Sequence, residues 1–221
     1  MDREEKWRVI ADQRRLLAEL LDGVEDAGWE HPSLCSAWRV RDVAAHVALT
    51  PQSPGLLRIL GRAVSARGDF DAVNRDLAVE HADRPGVDLV SELRHLADDR
   101  RTPAITTLDN LLFDTLVHVQ DIAVPLRRPA SMPIEAACEG AERVWRMGWP
   151  FWAQRRLRGL QLRATDVAWT VGSGDEVRGP VGRCCSWSRA VPKWRCSSWT
   201  GRERDGSSRL SKGRREAARP S

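Results

Sequence analysis

Apolar residues in the first part of the chain recur at helical spacing. Between residues 5 and 27 they follow one another at intervals that place them on one face of an α-helix, and charged residues fill the opposite face. Gly28 and the His31-Pro32-Ser33 segment end this first predicted helix. Its apolar face comprises Trp7, Ile10, Leu17, Leu20, Leu21 and Val24.

Further helical segments follow. Residues 40–47 carry an apolar stripe with His46 beside it, and Asp42 lies in the first turn, where the helix dipole favours an anion. Proline residues at 51 and 54 interrupt this helix, and residues 55–64 are predicted to resume as a short one. The pattern stays helical from 69 to 101, with Pro85-Gly86 dividing or kinking it.

The most apolar helix is predicted in the middle of the chain. Pro103 begins it at the first turn, where proline is tolerated, and it runs to about Leu126. Its second half reads LLFDTLVHVQDIAVPL. After a proline-bounded linker at 129–133, another helix is predicted from Ile134 to about Arg158.

The period then changes from helical to alternating. Leu160, Leu162 and Ala164 alternate with polar residues, and the apolar run VAWTVG follows after Asp166. This pattern is typical of two short strands joined by a tight turn. The chain is therefore predicted to be mainly α, with a small C-terminal α/β region.

Composition is ordinary for a globular protein, with 30% charged and 42% hydrophobic residues among 221. No apolar run approaches the roughly 18 residues of a membrane span, and the N-terminus is too charged for a secretory signal. We therefore expect a cytoplasmic protein without a membrane partner. The five cysteines are an odd number without metal-type spacing, which fits a reducing compartment.

The charge is concentrated in the tail. Residues 183–221 hold 11 Lys and Arg against 3 Asp and Glu, whereas residues 1–182 hold 24 basic and 28 acidic residues. No helix or strand pattern fits the tail, which contains three of the ten Trp and three of the five Cys. It is interpreted as a disordered basic tail or as the product of a reading-frame shift in a GC-rich coding sequence. Nucleic-acid binding by the tail is a minor alternative, because the body is acidic and no recognition module is visible.

Two polar residues on the central helix are candidates for chemistry. Asp114 and His118 are four residues apart, so both side chains leave the same face. This spacing alone is a weak indication of a metal site, because a salt-bridged or hydrogen-bonded pair produces it more often. His46 on a second apolar helix, expected to pack against the first, strengthens the case for a metal ion, since buried imidazoles need compensation. His31, His81 and His95 are interpreted as structural or solvent-exposed residues.

The phrases PSLCSAWRVRDVAAHVA and, about seventy residues later, DTLVHVQDIAVPL resemble the mycothiol-dependent maleylpyruvate isomerase family of the wider DinB-like superfamily. The phrase LRATDVAWTVGSGDEVRGP is similar to the small C-terminal region of those proteins. The resemblance implies an up-and-down four-helix bundle at 1–130 that binds a divalent metal, usually zinc. It also implies a C-terminal α/β region at 131–182, truncated here because the tail at 183–221 replaces the apolar helix and strand of relatives.

The resemblance also implies a site. The metal ligands of the family fall on His46, Asp114 and His118, and Asp114 stands where relatives often have Glu. Asp121 would either orient His118 or have a structural role. Arg163 and Arg178 lie in the matching C-terminal region, where surface strand positions explain them equally well.

Three protein ligands are the catalytic rather than the structural pattern for zinc. The implied activity is that of a mycothiol-dependent isomerase or thiol transferase. The thiolate of mycothiol, activated by the metal, would act on a small electrophile or unsaturated acid. The alternative is a non-catalytic metal-binding bundle that serves as a structural or interaction protein.

Overall fold

The computed structural model describes residues 1–52, 70–103, 106–148 and 151–182. The helices are α1 (Arg3–Leu21), α2 (Asp26–Trp29), α3 (Val40–Leu49), α4 (Phe70–Ala82), α5 (Leu89–His95), α6 (Leu108–Ala123), α7 (Ile134–Arg146) and α8 (Ala153–Arg156), with a 3-10 turn at Thr50–Gln52. The strands are β1 (Gly159–Ala164), β2 (Thr170–Gly172) and β3 (Gly174–Gly179). The predicted class, mainly α with a small C-terminal α/β region, is confirmed. The predictions for residues 55–64 and 183–221 lie outside the described residues.

The predicted bounds of three helices are wrong, and capping hydrogen bonds explain where two of them begin. Helix α1 begins at Arg3 because the Asp2 carboxylate accepts a hydrogen bond from the Glu5 amide, and Glu5 reciprocates on the Asp2 amide. It stops at Leu21, and residues 26–29 form the separate helix α2. Helix α6 begins at Leu108 rather than near Pro103, since the Thr107 hydroxyl accepts a hydrogen bond from the Asn110 amide. The helix predicted to reach Arg158 ends at Arg146.

The C-terminal sheet has three strands, and the third was not predicted. β1 lies in the middle, antiparallel to β2 and parallel to β3, so that Leu162 is opposite both Val171 and Val177. Gly172 ends β2 and Gly174 begins β3. Both have positive φ, and a Cβ at either would collide with a carbonyl oxygen of β1. Glycine therefore allows the chain to turn against β1 and add the third strand.

Helix α6 contributes to all three apolar clusters of the described core. Its C-terminal half packs with α1, α3, α4 and α5, around Val119 and Ile122. Phe113 and Val117 pack instead against α7, α8 and β1, and Leu112 and Leu116 pack against α1 and α7. Because these clusters enclose most of the helix, a buried polar side chain on α6 must find partners within the protein.

A buried arginine joins α1 to the end of α5. The Arg14 guanidinium is 1% exposed, and its Nη1 donates to the carbonyl oxygens of Leu96, Ala97 and Asp99 at 3.3, 3.3 and 2.8 Å. Burial lowers the pKa of Arg14 to about 10, so the side chain remains a cation at neutral pH. The guanidinium thus provides a hydrogen-bond donor for backbone carbonyl groups of the segment that follows α5.

No helix among the described residues has the length and hydropathy needed to cross a membrane.

Replacing a fully buried leucine should test the core directly. Leu17→Ala removes a side chain with 0% exposure and should lower the free energy of unfolding by about 2–5 kcal/mol through lost burial and the cavity left behind. Leu34→Ala is the matched control, because Leu34 is 42% exposed and its truncation should cost less than about 0.5 kcal/mol. Urea unfolding of both variants provides the comparison, and equal losses would contradict the described core.

The N-cap of α5 gives a pH-dependent prediction. Asp88 accepts hydrogen bonds from the Ser91 hydroxyl and amide at 2.6 and 3.0 Å, and these bonds lower the pKa of its carboxyl. A lowered pKa in the folded state means that the ionised cap stabilises the protein fully above the unfolded value of about 3.9. This contribution is lost as pH falls through the folded value. Asp88→Ala should therefore cost about 1 kcal/mol at pH 7 and progressively less below pH 4.

Asp88→Asn is the control for this cap, since asparagine keeps the cap but does not titrate. Its advantage over Asp88→Ala should not vary with pH in urea unfolding between pH 7 and 2.5. A wild-type advantage that persists unchanged at the acid end would show that the carboxylate does not carry the effect.

Candidate metal centre

The start of α3 fixes the position of His46. The buried Asp42 carboxylate accepts hydrogen bonds from the Arg39 amide at 2.8 Å and from the Arg39 guanidinium at 3.0 and 2.7 Å. The same guanidinium also pairs with Glu30 and Asp83, and the hydrogen bonds to Asp42 are the main reason that the pKa of Arg39 is raised. Asp42 thus anchors the first turn of α3, and His46 follows one turn later on a rigid helix.

Helix α6 presents Asp114, His118 and Asp121 along one side. The spacing of four and three residues places each side chain about one turn from the next. Their environments differ: His118 is 1% exposed and Asp121 is buried, whereas Asp114 is only partly buried. The three side chains therefore extend from the buried core, at His118 and Asp121, towards the protein surface at Asp114.

The structure brings the three predicted ligands together. The Asp114 carboxylate lies between the two imidazoles, with Oδ2 3.1 Å from His46 Nε2 and Oδ1 3.2 Å from His118 Nε2. The two imidazole rings are 4.9 Å apart between centroids and nearly perpendicular. Partial burial favours the neutral acid, but the two imidazoles outweigh it and hold the pKa of the Asp114 carboxyl well below its usual range.

The donor set fits a zinc ion. Two imidazole nitrogens and one carboxylate are common zinc ligands, and at bond lengths of about 2.0–2.2 Å any two ligands of tetrahedral zinc lie about 3.4 Å apart. The measured nitrogen-to-oxygen separations of 3.1 and 3.2 Å are close to this value. Small side-chain adjustments would suffice to place His46, Asp114 and His118 around one cation.

Asp121 determines which nitrogen His118 presents to Asp114. Its Oδ2 lies 3.1 Å from His118 Nδ1, the ring nitrogen that faces away from Asp114. A proton on Nδ1 leaves the Nε2 lone pair for a metal, which is the usual arrangement for a ligating imidazole with an outer carboxylate. The predicted contact between Asp121 and His118 is therefore present.

Cys35 was not predicted at the site. Its Sγ lies 2.9 Å from Asp121 Oδ2 and 3.7 Å from His118 Nδ1. The sequence places Cys35 in a loop between helices, where no periodicity reveals which neighbour a side chain meets. Its only signal in the sequence was its position inside the phrase PSLCSAWRVRDVAAHVA, which also contains His46.

Within the described residues, two groups of three donors have their ligand atoms within 4.8 Å of one another: His46, Asp114 and His118, and Cys35, His118 and Asp121. In the second group the atom of His118 that faces Cys35 and Asp121 is Nδ1. A metal there would break the hydrogen bond between Asp121 and His118. The first group keeps that bond and reaches the surface through Asp114, so it is the better candidate for a site that admits small molecules.

Trp38 covers both candidate imidazole ligands. Its ring stacks on His118 at 6.3 Å between centroids with an interplanar angle of 22°, and it meets the edge of His46 at 5.5 Å. An aromatic wall on one side of the histidines limits the access of water and restricts the rotation of both rings.

The remaining residues considered from the sequence lie elsewhere. His81 is buried against Glu92 at 2.7 Å, and His31 and His95 are exposed, so none of these histidines belongs to either donor group. Arg163 and Arg178 are exposed on the sheet and both pair with Glu176. Surface ion pairing with Glu176 accounts for both arginines without a bound ligand.

Comparison with known proteins agrees with the fold. Residues 10–105 match the family described as the mycothiol maleylpyruvate isomerase N-terminal domain, a range that includes His46 but ends before Asp114. A crystal structure of a histidine-to-alanine mutant of mycothiol-dependent maleylpyruvate isomerase superposes with a TM-score of 0.57 at 15% identity, covering 85% of this chain and 89% of that one. A second crystal structure of mycothiol-dependent maleylpyruvate isomerase covers the same shares at 18% identity, with a TM-score of 0.48.

No curated protein matches the sequence significantly. The family match is confined to residues 10–105, whereas the superposition covers 85% of the chain. The chain therefore has the overall fold of mycothiol-dependent maleylpyruvate isomerase, and its residues 10–105 are similar to the mycothiol maleylpyruvate isomerase N-terminal domain.

Proposed function

We propose that the protein binds a divalent metal, zinc in the first place, through His46, Asp114 and His118. We propose further that it acts as a mycothiol-dependent isomerase or thiol transferase. The observation that carries the proposal is the convergence of two imidazole Nε2 atoms on the two oxygens of one carboxylate, at 3.1 and 3.2 Å. Support also comes from the fold, which is that of an enzyme named for its dependence on mycothiol.

The three side chains would fill three of the four positions of a tetrahedral zinc, which is the catalytic pattern. Bound there, zinc would supply an electrophilic centre that lowers the pKa of a thiol, so that the thiolate exists at neutral pH. The chain itself would hold the geometry. Asp121 fixes the tautomer of His118, Asp42 fixes the helix that carries His46, and Trp38 shields both rings from water.

An activated thiol supports two related reactions. In the first, the thiolate adds to the double bond of an unsaturated acid and forms a carbon–sulfur bond, while the electron pair of the double bond moves onto the conjugated carbonyl. Rotation about the resulting single bond and loss of the thiolate then give the other geometric isomer. In the second, the thiolate displaces a leaving group from an electrophile and stays attached to the product. Maleylpyruvate is the first substrate to test, because the structural relative is named for it.

A second candidate function rests on one observation. His46, Asp114, His118 and Asp121 already satisfy one another by hydrogen bonding, so the cluster is compatible with a protein that needs no metal for chemistry. The second candidate is a non-catalytic bundle in which this cluster, with or without a metal, stabilises the junction of α3 and α6.

Metal analysis should separate a metal site from a hydrogen-bonded cluster. Protein purified without chelators should contain about one zinc per chain, and His46→Ala and His118→Ala should each lose most of it, because removing one of three ligands weakens the site severely. His95→Ala is the matched control, since that histidine is exposed and outside both donor groups. Elemental analysis that finds no metal in the wild type would defeat the metal proposal.

Turnover should depend on both thiol and site. With mycothiol, the zinc-loaded protein should convert maleylpyruvate or transfer the thiol to an electrophile, and His118→Ala should lower the rate by at least about 100-fold, since it removes a ligand and not merely an outer partner. Absorbance and mass analysis of the products distinguish isomerisation from transfer. Zinc-loaded protein that shows neither reaction would favour the non-catalytic candidate.

A further inference from the structure

The loop between α2 and α3 is fastened to helix α6 beside the candidate metal centre. Its ends pair through an antiparallel bridge between Pro32 and Arg39. Its backbone reaches α6 through the Leu34 amide, which donates to the Asp121 carbonyl oxygen at 3.1 Å. Asp121 is therefore held by the loop through its backbone as well as through its side chain.

The same loop has internal hydrogen bonds that define the position of Cys35. The Ser33 hydroxyl accepts from the Cys35 amide at 3.1 Å and donates to the Trp38 carbonyl oxygen at 2.9 Å. The Trp38 amide donates to the Cys35 carbonyl oxygen at 3.1 Å, and Ala37 takes a left-handed φ of 65° that closes the turn. Cys35 and Trp38 are thus presented together, one to the outer side of His118 and the other to its ring face.

We propose that Cys35 is a positioning residue for the metal centre, whose thiol donates a hydrogen bond to Asp121 Oδ2 and thereby holds the carboxylate that orients His118. The inference rests on the proposed function, because it concerns the geometry of the same site. A chain of contacts runs from Cys35 Sγ to Asp121 Oδ2 at 2.9 Å, then to His118 Nδ1 at 3.1 Å, and His118 Nε2 faces Asp114 at 3.2 Å.

The contacts favour a donor thiol over a ligating thiolate. Asp121 Oδ2 accepts from His118 Nδ1, and an anionic sulfur 2.9 Å from the same oxygen would be repelled, whereas a neutral thiol donates to it. Without the thiol, the Asp121 carboxylate gains freedom to rotate away from the imidazole. His118 would then lose the partner that fixes its tautomer, and outer partners of this kind commonly change metal affinity by about 10–100-fold.

The test compares Cys35→Ala, Cys35→Ser and Cys138→Ala. Cys138 is the matched control, because it is the other cysteine of the described residues, has similar partial burial and lies on α7 in a different apolar cluster. Zinc titration should give a dissociation constant at least about 10-fold weaker for Cys35→Ala. Cys35→Ser should stay within about threefold of the wild type, since a hydroxyl donates the same hydrogen bond. Cys138→Ala should match the wild type.

Replacing zinc by cobalt(II) provides a visible spectrum that would not change if Cys35 only stabilised the fold. The visible ligand-field bands of the cobalt form should shift in Cys35→Ala and be restored in Cys35→Ser, because they report the orientation of the ligands. Thermal unfolding of the metal-free variants measures folding separately from metal affinity.

Three results would overturn the proposed role of Cys35. An unchanged zinc affinity and cobalt spectrum in Cys35→Ala overturns the positioning role while leaving the metal proposal intact. A near-ultraviolet sulfur-to-cobalt charge-transfer band that disappears in Cys35→Ala also overturns it, because the thiolate would then be a ligand. Wild-type protein that binds neither metal defeats the proposed function and this inference together.

Discussion

The structure depends on satisfying one buried imidazole. His118 is 1% exposed on a helix whose neighbours are apolar, and an imidazole without partners there would be costly. Asp121 meets its Nδ1, while Asp114 meets its Nε2 and also binds His46. Helices α3 and α6, which are far apart in sequence, are therefore joined where the Nε2 atoms of His46 and His118 meet the Asp114 carboxylate. The same requirement that stabilises the junction of α3 and α6 creates a set of three donors suitable for a metal.

The scaffold around this point is rigid for separate reasons. Helix α6 is held by apolar clusters on several sides, and α3 is anchored by the ion pair of Asp42 with Arg39. The loop before α3 adds Trp38 over the imidazole faces and Cys35 behind Asp121. Ligands carried by helices lose little freedom on binding a metal, so a preformed arrangement of this kind favours affinity and fixed orientation.

Site residues that lie on helices could be identified from the sequence, because helical periodicity predicts which side chains share a face. His46, Asp114 and His118 could be selected because helical spacing places them on apolar helices, whereas a role for Asp121 was expected only from the family resemblance. Cys35 could not be found in this way, since it lies in a loop whose side-chain directions depend on tertiary contacts. The burial of Arg14 was missed for a related reason: its position on the polar face of α1 becomes internal only when the end of α5 packs against it. Strand β3 was missed because its residues GDEVRG are mostly polar, and its pairing depends on the glycine turn.

X-ray absorption spectroscopy of the zinc-loaded protein tests the central claim most directly. The account predicts two imidazole nitrogens and a carboxylate oxygen at about 2.0–2.2 Å, with no sulfur neighbour in the absence of added thiol. Adding mycothiol should introduce one sulfur at about 2.3 Å while both imidazoles remain. A sulfur neighbour before any thiol is added, or a spectrum without imidazole scattering, would contradict a metal centre built from His46, Asp114 and His118.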